Sequence, residues 1–125
     1  MMPLPSILLY HGHMKVRVVG AGAVGTVVAL QLMGHGDIGF IVDEERRERY
    51  SQGLVINGRS YAFPLYTPAE ADEADLVIFA VKNMQLHDAI EEARPFIGES
   101  TAVMPLLNGI DAEGELEAAY GPGKV

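Results

Sequence analysis

Three glycines, Gly20, Gly22 and Gly25, stand close together in "VRVVGAGAVGTVVAL", between two apolar runs. Their spacing is G-x-G-x-x-G, and each has its own task if the segment is strand, turn and helix. Gly20 permits the tight turn out of the strand, Gly22 lets the backbone approach a pyrophosphate, and Gly25 lets the helix pack close to the strand. The pyrophosphate then meets the N–H groups of the helix N-terminus, where the dipole favours negative charge. A turn needed only for packing would use the same residues. Strand before and helix after favour dinucleotide binding.

Asp43 adds to this pattern. It closes the next apolar run, "IGFIV", at the distance from the glycines where a carboxylate binds the adenosine ribose hydroxyls. Such a carboxylate repels a 2′-phosphate, which favours NAD over NADP. An aspartate there also caps a following helix. Arg46 and Arg47, one turn later, either clamp a phosphate or belong to the solvated face of "DEERRER".

The elements that must hold these residues follow from the apolar pattern. Residues 16–19 form a short β-branched run, and Val24, Val27, Val28 and Leu32 recur at helical spacing. Residues 38–42 are a second strand. The charged helix after it ends at Gly53, with its acidic residues first and its basic residues later, as the macrodipole prefers. Asn57-Gly58 between two strand-like pieces predicts a type I′ hairpin. "ADLVIFAVK" reads as a strand buried on both faces, and "MQLHDAIEEARPFIG" as an amphipathic helix that Pro95 ends or kinks. "STAVMPLLNG" is a further strand and loop, and "DAEGELEAAYG" a short helix. Strands alternating with helices predict an α/β domain: a Rossmann-like, doubly wound, mostly parallel sheet with helices on both faces. After "YGPG", Lys124 and Val125 read as the start of another strand, so the chain is expected to stop where the sheet continues.

Composition sets outer limits. The 125 residues are 49% hydrophobic and 21% charged, the balance of an ordinary globular domain. Nine Lys and Arg against seventeen Asp and Glu leave a net charge of -8, which disfavours nucleic acid and anionic membrane as partners. Without cysteine there is neither disulfide nor thiolate metal site, as in a cytoplasmic protein. His11, His13, His35 and His87 make no convincing metal site. Residues 1–13, which have neither a basic leader nor a long apolar run, read as an extension or tag ahead of a domain over 14–125.

The motifs resemble one family. "VRVVGAGAVG", "ADLVIFAVKNMQLHDAI" and "AVMPLLNGI" follow in the order and at about the intervals of the ketopantoate reductases (2-dehydropantoate 2-reductases), and the likeness covers residues 14–125. The glycine loop is common to many dehydrogenases; the Val-Lys and Leu-Asn-Gly pair is more specific. The resemblance implies reduction of 2-dehydropantoate, a small 2-keto acid, to pantoate with NADPH, on the pantothenate and coenzyme A route. It implies a pyrophosphate loop of Gly20, Gly22, Ala23, Val24 and Gly25. Lys82 would contact the cofactor near its ribose and nicotinamide end, and Asn108 would sit by the nicotinamide and the substrate. The residues alone also allow Lys82 as a surface lysine and Asn108-Gly109 as a mere turn.

Two departures from the family stand out. Its members often carry a base at the end of the second strand, where this chain has Asp43 and Glu44, and "MGHGDIG" departs from the usual Gly-His loop. The family's catalytic lysine and substrate-binding glutamate come from a helical second domain, which would lie beyond Val125. The expectation is a domain that binds NAD or NADP, carries no catalytic residue of its own, does not turn over alone, and self-associates through the face left apolar. A free-standing NAD(H)-sensing domain, or the nucleotide domain of another dehydrogenase, are the alternatives.

Overall fold

In chain order the strands are β1 (Met14–Val19), β2 (Gly36–Ile41), β3 (Leu54–Ile56), β4 (Arg59–Tyr61), β5 (Leu65–Tyr66), β6 (Leu76–Phe79) and β7 (Ala102–Pro105). The helices are α1 (Ala23–Leu32), α2 (Glu44–Tyr50), α3 (Leu86–Ala93) and α4 (Ala112–Tyr120). This computed structural model describes residues 14–107 and 112–125. Five strands form one sheet in the order β5-β2-β1-β6-β7, every neighbouring pair parallel. The fold is Rossmann-like. β2 lies on one side of β1 and β6 on the other, so the strand order reverses at β1. In sheets of this kind the crevice at that reversal, outside the carboxyl ends of the strands, is where ligands bind.

Successive strand residues face opposite ways, and both faces of the sheet are covered, so its central strands carry apolar residues on both sides. Val16, Val18, Phe40 and Ile78 pack with Ala29 and Leu32 of α1 and with Leu54 and Phe63. Val19, Ile41, Val77 and Phe79 pack with Leu86, Ile90 and Ala93 of α3 and Leu116 of α4. Phe79 is fully buried among these residues. Phe79→Ala is expected to destabilise the protein by about 3–5 kcal/mol in urea unfolding, the range for emptying a packed phenylalanine site. A loss below about 1 kcal/mol would mean that this face is not packed as described.

Arg17 interrupts the apolar pattern of β1 and is nonetheless 3% exposed. Its guanidinium donates to the Val16 and Asp37 carbonyls and to the Asp37 carboxylate, and lies 4.2 Å from the centre of the Tyr66 ring. These partners satisfy a buried cation that would otherwise be costly.

The hairpin expectation holds: β3 and β4 pair antiparallel around Asn57 (φ 52°) and Gly58 (φ 80°), the positive pair a type I′ turn requires. α3 ends at Ala93, before Pro95. The helix expected from Val24, Val27, Val28 and Leu32 is α1. Val24 and Val27 are 53% and 46% exposed, and the buried face is Gly25, Thr26, Ala29 and Leu32. Close packing at Gly25 turns that side of the helix to the sheet and the valines away from it. Near the C-terminus, the Val103 N–H donates to the Lys124 carbonyl (2.8 Å), so the backbone runs along the β7 edge there without forming a regular strand. Among the described residues no helix is long and apolar enough to cross a membrane.

Candidate functional site

β1 is followed by Gly20, whose φ of +104° lies in the left-handed region. A Cβ at Gly20 would collide with the Ala80 carbonyl oxygen, and one at Gly25 with the Gly20 carbonyl oxygen. Both collisions are with backbone, so neither can be relieved by a side-chain move. Gly22 differs. It is the N-cap of α1, in extended conformation, with no side-chain cap, and a Cβ there would meet nothing within 4 Å. Two glycines therefore bring the helix onto the turn, and the third leaves open space in front of the helix N-terminus. The first N–H groups of a helix lack intrahelical acceptors, and an open approach to them fits a diphosphate. Thr26 Oγ1 donates to the Gly22 carbonyl at 2.8 Å and steadies the first turn.

The space opens into a cleft of about 620 Å³ outside the carboxyl ends of β1, β2 and β6. Gly20, Gly22, Asp43 and Lys82 all line it, with Arg46, Arg49 and Tyr50 on the α2 side and Gln85, Asp88, Ala89 and Glu92 on the α3 side. A second cleft of about 540 Å³ adjoins Gly22 and is lined by Ala23, Val24, Lys82, Leu106 and Leu107. Gly22 and Lys82 belong to both. Asn108 lies outside the described residues, as do residues 1–13. Gly25 lines neither cleft; it sits beneath the turn and shapes it.

Asp43 caps a helix and also borders the cleft. Its Oδ1 accepts the Arg46 N–H at 2.7 Å and so caps α2, while the residue still faces the cleft. The two arginines separate. Arg46 lines the cleft, whereas Arg47 is paired with Glu70 through both guanidinium nitrogens, the second at 2.8 Å. Hydrogen bonding from the Thr67 backbone, and then from Arg47, holds the Glu70 carboxyl below its ordinary pKa. Arg47 is thereby committed away from the cleft. Among the described residues no group of three or more His, Asp or Glu could hold a metal ion. His87 is exposed on α3.

Sequence reasoning missed the α3 wall. Asp88 and Glu92 are four residues apart, so one helical face carries both, with Ala89 between them. The spacing was legible; that this face borders the glycine cleft was not. Burial pushes the Glu92 carboxyl above its ordinary pKa, against the opposing effect of Arg46.

The family described as "Ketopantoate reductase PanE/ApbA" matches residues 16–125. The chain is 36% identical over 118 residues to "Uncharacterized oxidoreductase YkpB" of Bacillus subtilis (strain 168), covering 90% of this chain and 39% of that one. It is 33% identical over 107 residues to the 2-dehydropantoate 2-reductase of Streptococcus pyogenes serotype M1, covering 80% and 35%. Among solved structures, D-mandelate dehydrogenase with NADH and anilino(oxo)acetate superposes with a TM-score of 0.69 at 27% identity, over 87% of this chain and 38% of that one. The chain thus spans between about a third and two fifths of the length of these relatives.

Proposed function

Since the chain belongs to the ketopantoate reductase PanE/ApbA family, we propose that it is the cofactor-binding domain of an NAD(P)H-dependent oxidoreductase that reduces a small 2-keto acid such as 2-dehydropantoate. The observation that carries this reading is the open cradle at Gly22, set at the N-terminus of α1 and in one cleft with Asp43 and Lys82. Gly22 and the first N–H groups of α1 hold the pyrophosphate, with Ala23 and Val24 beside it. Asp43 takes the adenosine ribose hydroxyls. Lys82, common to both clefts, is assigned to the cofactor where its chain passes from one to the other, and the nicotinamide end is assigned to Asn108 on the family resemblance alone. Bound there, the dinucleotide supplies a hydride to the keto carbon. A structural likeness supports the cofactor class: the similar D-mandelate dehydrogenase structure contains NADH.

Asp43 biases the site towards NADH, because its carboxylate would face a 2′-phosphate. Titration calorimetry with NADH and NADPH tests both claims. Wild type should bind NADH more tightly. Asp43→Arg should reverse the preference, moving the ratio of affinities by about tenfold or more. Asp43→Asn keeps a good α2 cap while removing the charge, so a shift in Asn as well as Arg separates electrostatics from helix capping. Binding of neither cofactor would sink the dinucleotide reading. An unchanged ratio in both variants would leave Asp43 a helix cap only.

A further inference from the structure

Among the described residues, Glu92 Oε1 is the buried side-chain atom without a hydrogen-bond partner. Native proteins rarely keep a buried acceptor unanswered, and the neighbours explain why this one is. Ala89, one turn back on α3, has nothing to donate, and Asp88 is itself acidic. Neither arginine of the cleft donates to Glu92 Oε1: Arg46 is drawn towards Asp43, its Nε 3.9 Å from Oδ2, and Arg49 donates to Glu45 at 3.2 Å. Glu92 nevertheless lines the same cleft as Gly20, Gly22 and Asp43. The charges that act on it, from Arg46, Asp43 and Asp88, are those of this cleft.

The dinucleotide reading proposed above says what would supply the missing donor. With the pyrophosphate at Gly22 and the ribose at Asp43, the base continues into the part of the cleft between α2 and α3. Arg46, Arg49 and Tyr50 form one wall there, and Asp88, Ala89 and Glu92 the other. Adenine carries an exocyclic amino group with two N–H donors. A carboxyl accepts from it whether ionised or not.

We propose that Glu92 reads the base: its carboxyl turns to accept a hydrogen bond from the adenine amino group, and so selects an amino purine over an oxo purine. An oxo purine sets a carbonyl oxygen against the ionised carboxylate at the position where adenine offers its amino N–H. A site built around a ligand N–H rejects the analogue that lacks it more strongly than an apolar pocket can.

The test uses the full chain in mildly alkaline buffer, with NADH and reduced nicotinamide hypoxanthine dinucleotide as probes. Wild type should prefer NADH by about tenfold or more. Glu92→Leu should bring the two within about twofold, mainly by weakening NADH. Glu92→Gln is close in shape and brings N–H donors that the oxo group can accept, so it should narrow the ratio by strengthening the hypoxanthine cofactor. That gain distinguishes base reading from simple damage, and it survives if the leucine variant does not fold. An equal ratio in wild type and Glu92→Gln overturns the role of Glu92 while leaving dinucleotide binding intact. No NADH binding by wild type overturns both.

Discussion

Gly22→Val is expected to lower NADH affinity on the order of 100-fold while the protein stays folded. In the proposed site, backbone N–H groups at Gly22 meet a charged diphosphate, and hydrogen bonds to charged groups contribute about 1.5–3 kcal/mol each. Losing two of them amounts to the stated factor or more. A Cβ at Gly22 meets nothing within 4 Å beyond its chain neighbours, so the unliganded fold is expected to tolerate valine there. Its cost falls on the ligand alone. Gly25→Val is the contrasting case: the new side chain meets the Gly20 carbonyl, and either α1 or the turn must move. That variant should lose stability as well as binding. Thermal unfolding and calorimetry on the two variants separate these outcomes. Equal NADH affinity in wild type and Gly22→Val would remove the loop from the binding site.

The polypeptide of these 125 residues is expected to bind NAD(P)H and yet reduce 2-dehydropantoate no faster than background. Hydride delivery to a ketone needs a donor for the developing alkoxide. In the cleft beside Gly22, Lys82 is the one charged side chain among the described lining residues, and it is exposed; the rest of the lining is largely apolar, with Val24, Leu106 and Leu107. The carboxylates Asp43, Asp88 and Glu92 lie in the other cleft. A missing general acid costs about 10²–10⁴-fold, and an open, wet cleft that leaves the substrate unoriented costs more. A spectrophotometric assay of NAD(P)H oxidation decides the matter, run on protein already shown to bind the cofactor. Turnover near 1–10³ per second, as in ordinary dehydrogenases, would make Lys82 the leading proton donor and overturn the expectation.

The elements themselves are legible in the residues, because each rests on short-range chemistry. Asn57-Gly58 tolerates the positive φ angles of a type I′ turn wherever it occurs, and the φ values of 52° and 80° follow. The apolar runs of β1, β2 and β6 mark strands covered on both faces, and Pro95 sets the limit of α3. G-x-G-x-x-G, placed between strand and helix, already implies three different demands on three glycines.

What lies between elements was decided by packing. The helical spacing of Val24, Val27, Val28 and Leu32 marks a helix but not its buried face, because the close approach at Gly25, where a Cβ would meet the Gly20 carbonyl, fixes which side meets the sheet. Arg46 and Arg47 are adjacent in the chain, and only the position of Glu70 beside α2 sends one to an ion pair and leaves the other at the cleft. Arg17 is hidden in an apolar strand because Asp37 and Tyr66, on neighbouring strands, come together around it. Glu92 is a surface-like residue in its own helix and becomes an unanswered acceptor only because β6 delivers α3 to the rim of the glycine turn. Turn and strand preferences act over a few bonds and can be read locally. Burial and pairing of a charge depend on partners distant in sequence, which the sheet order brings together.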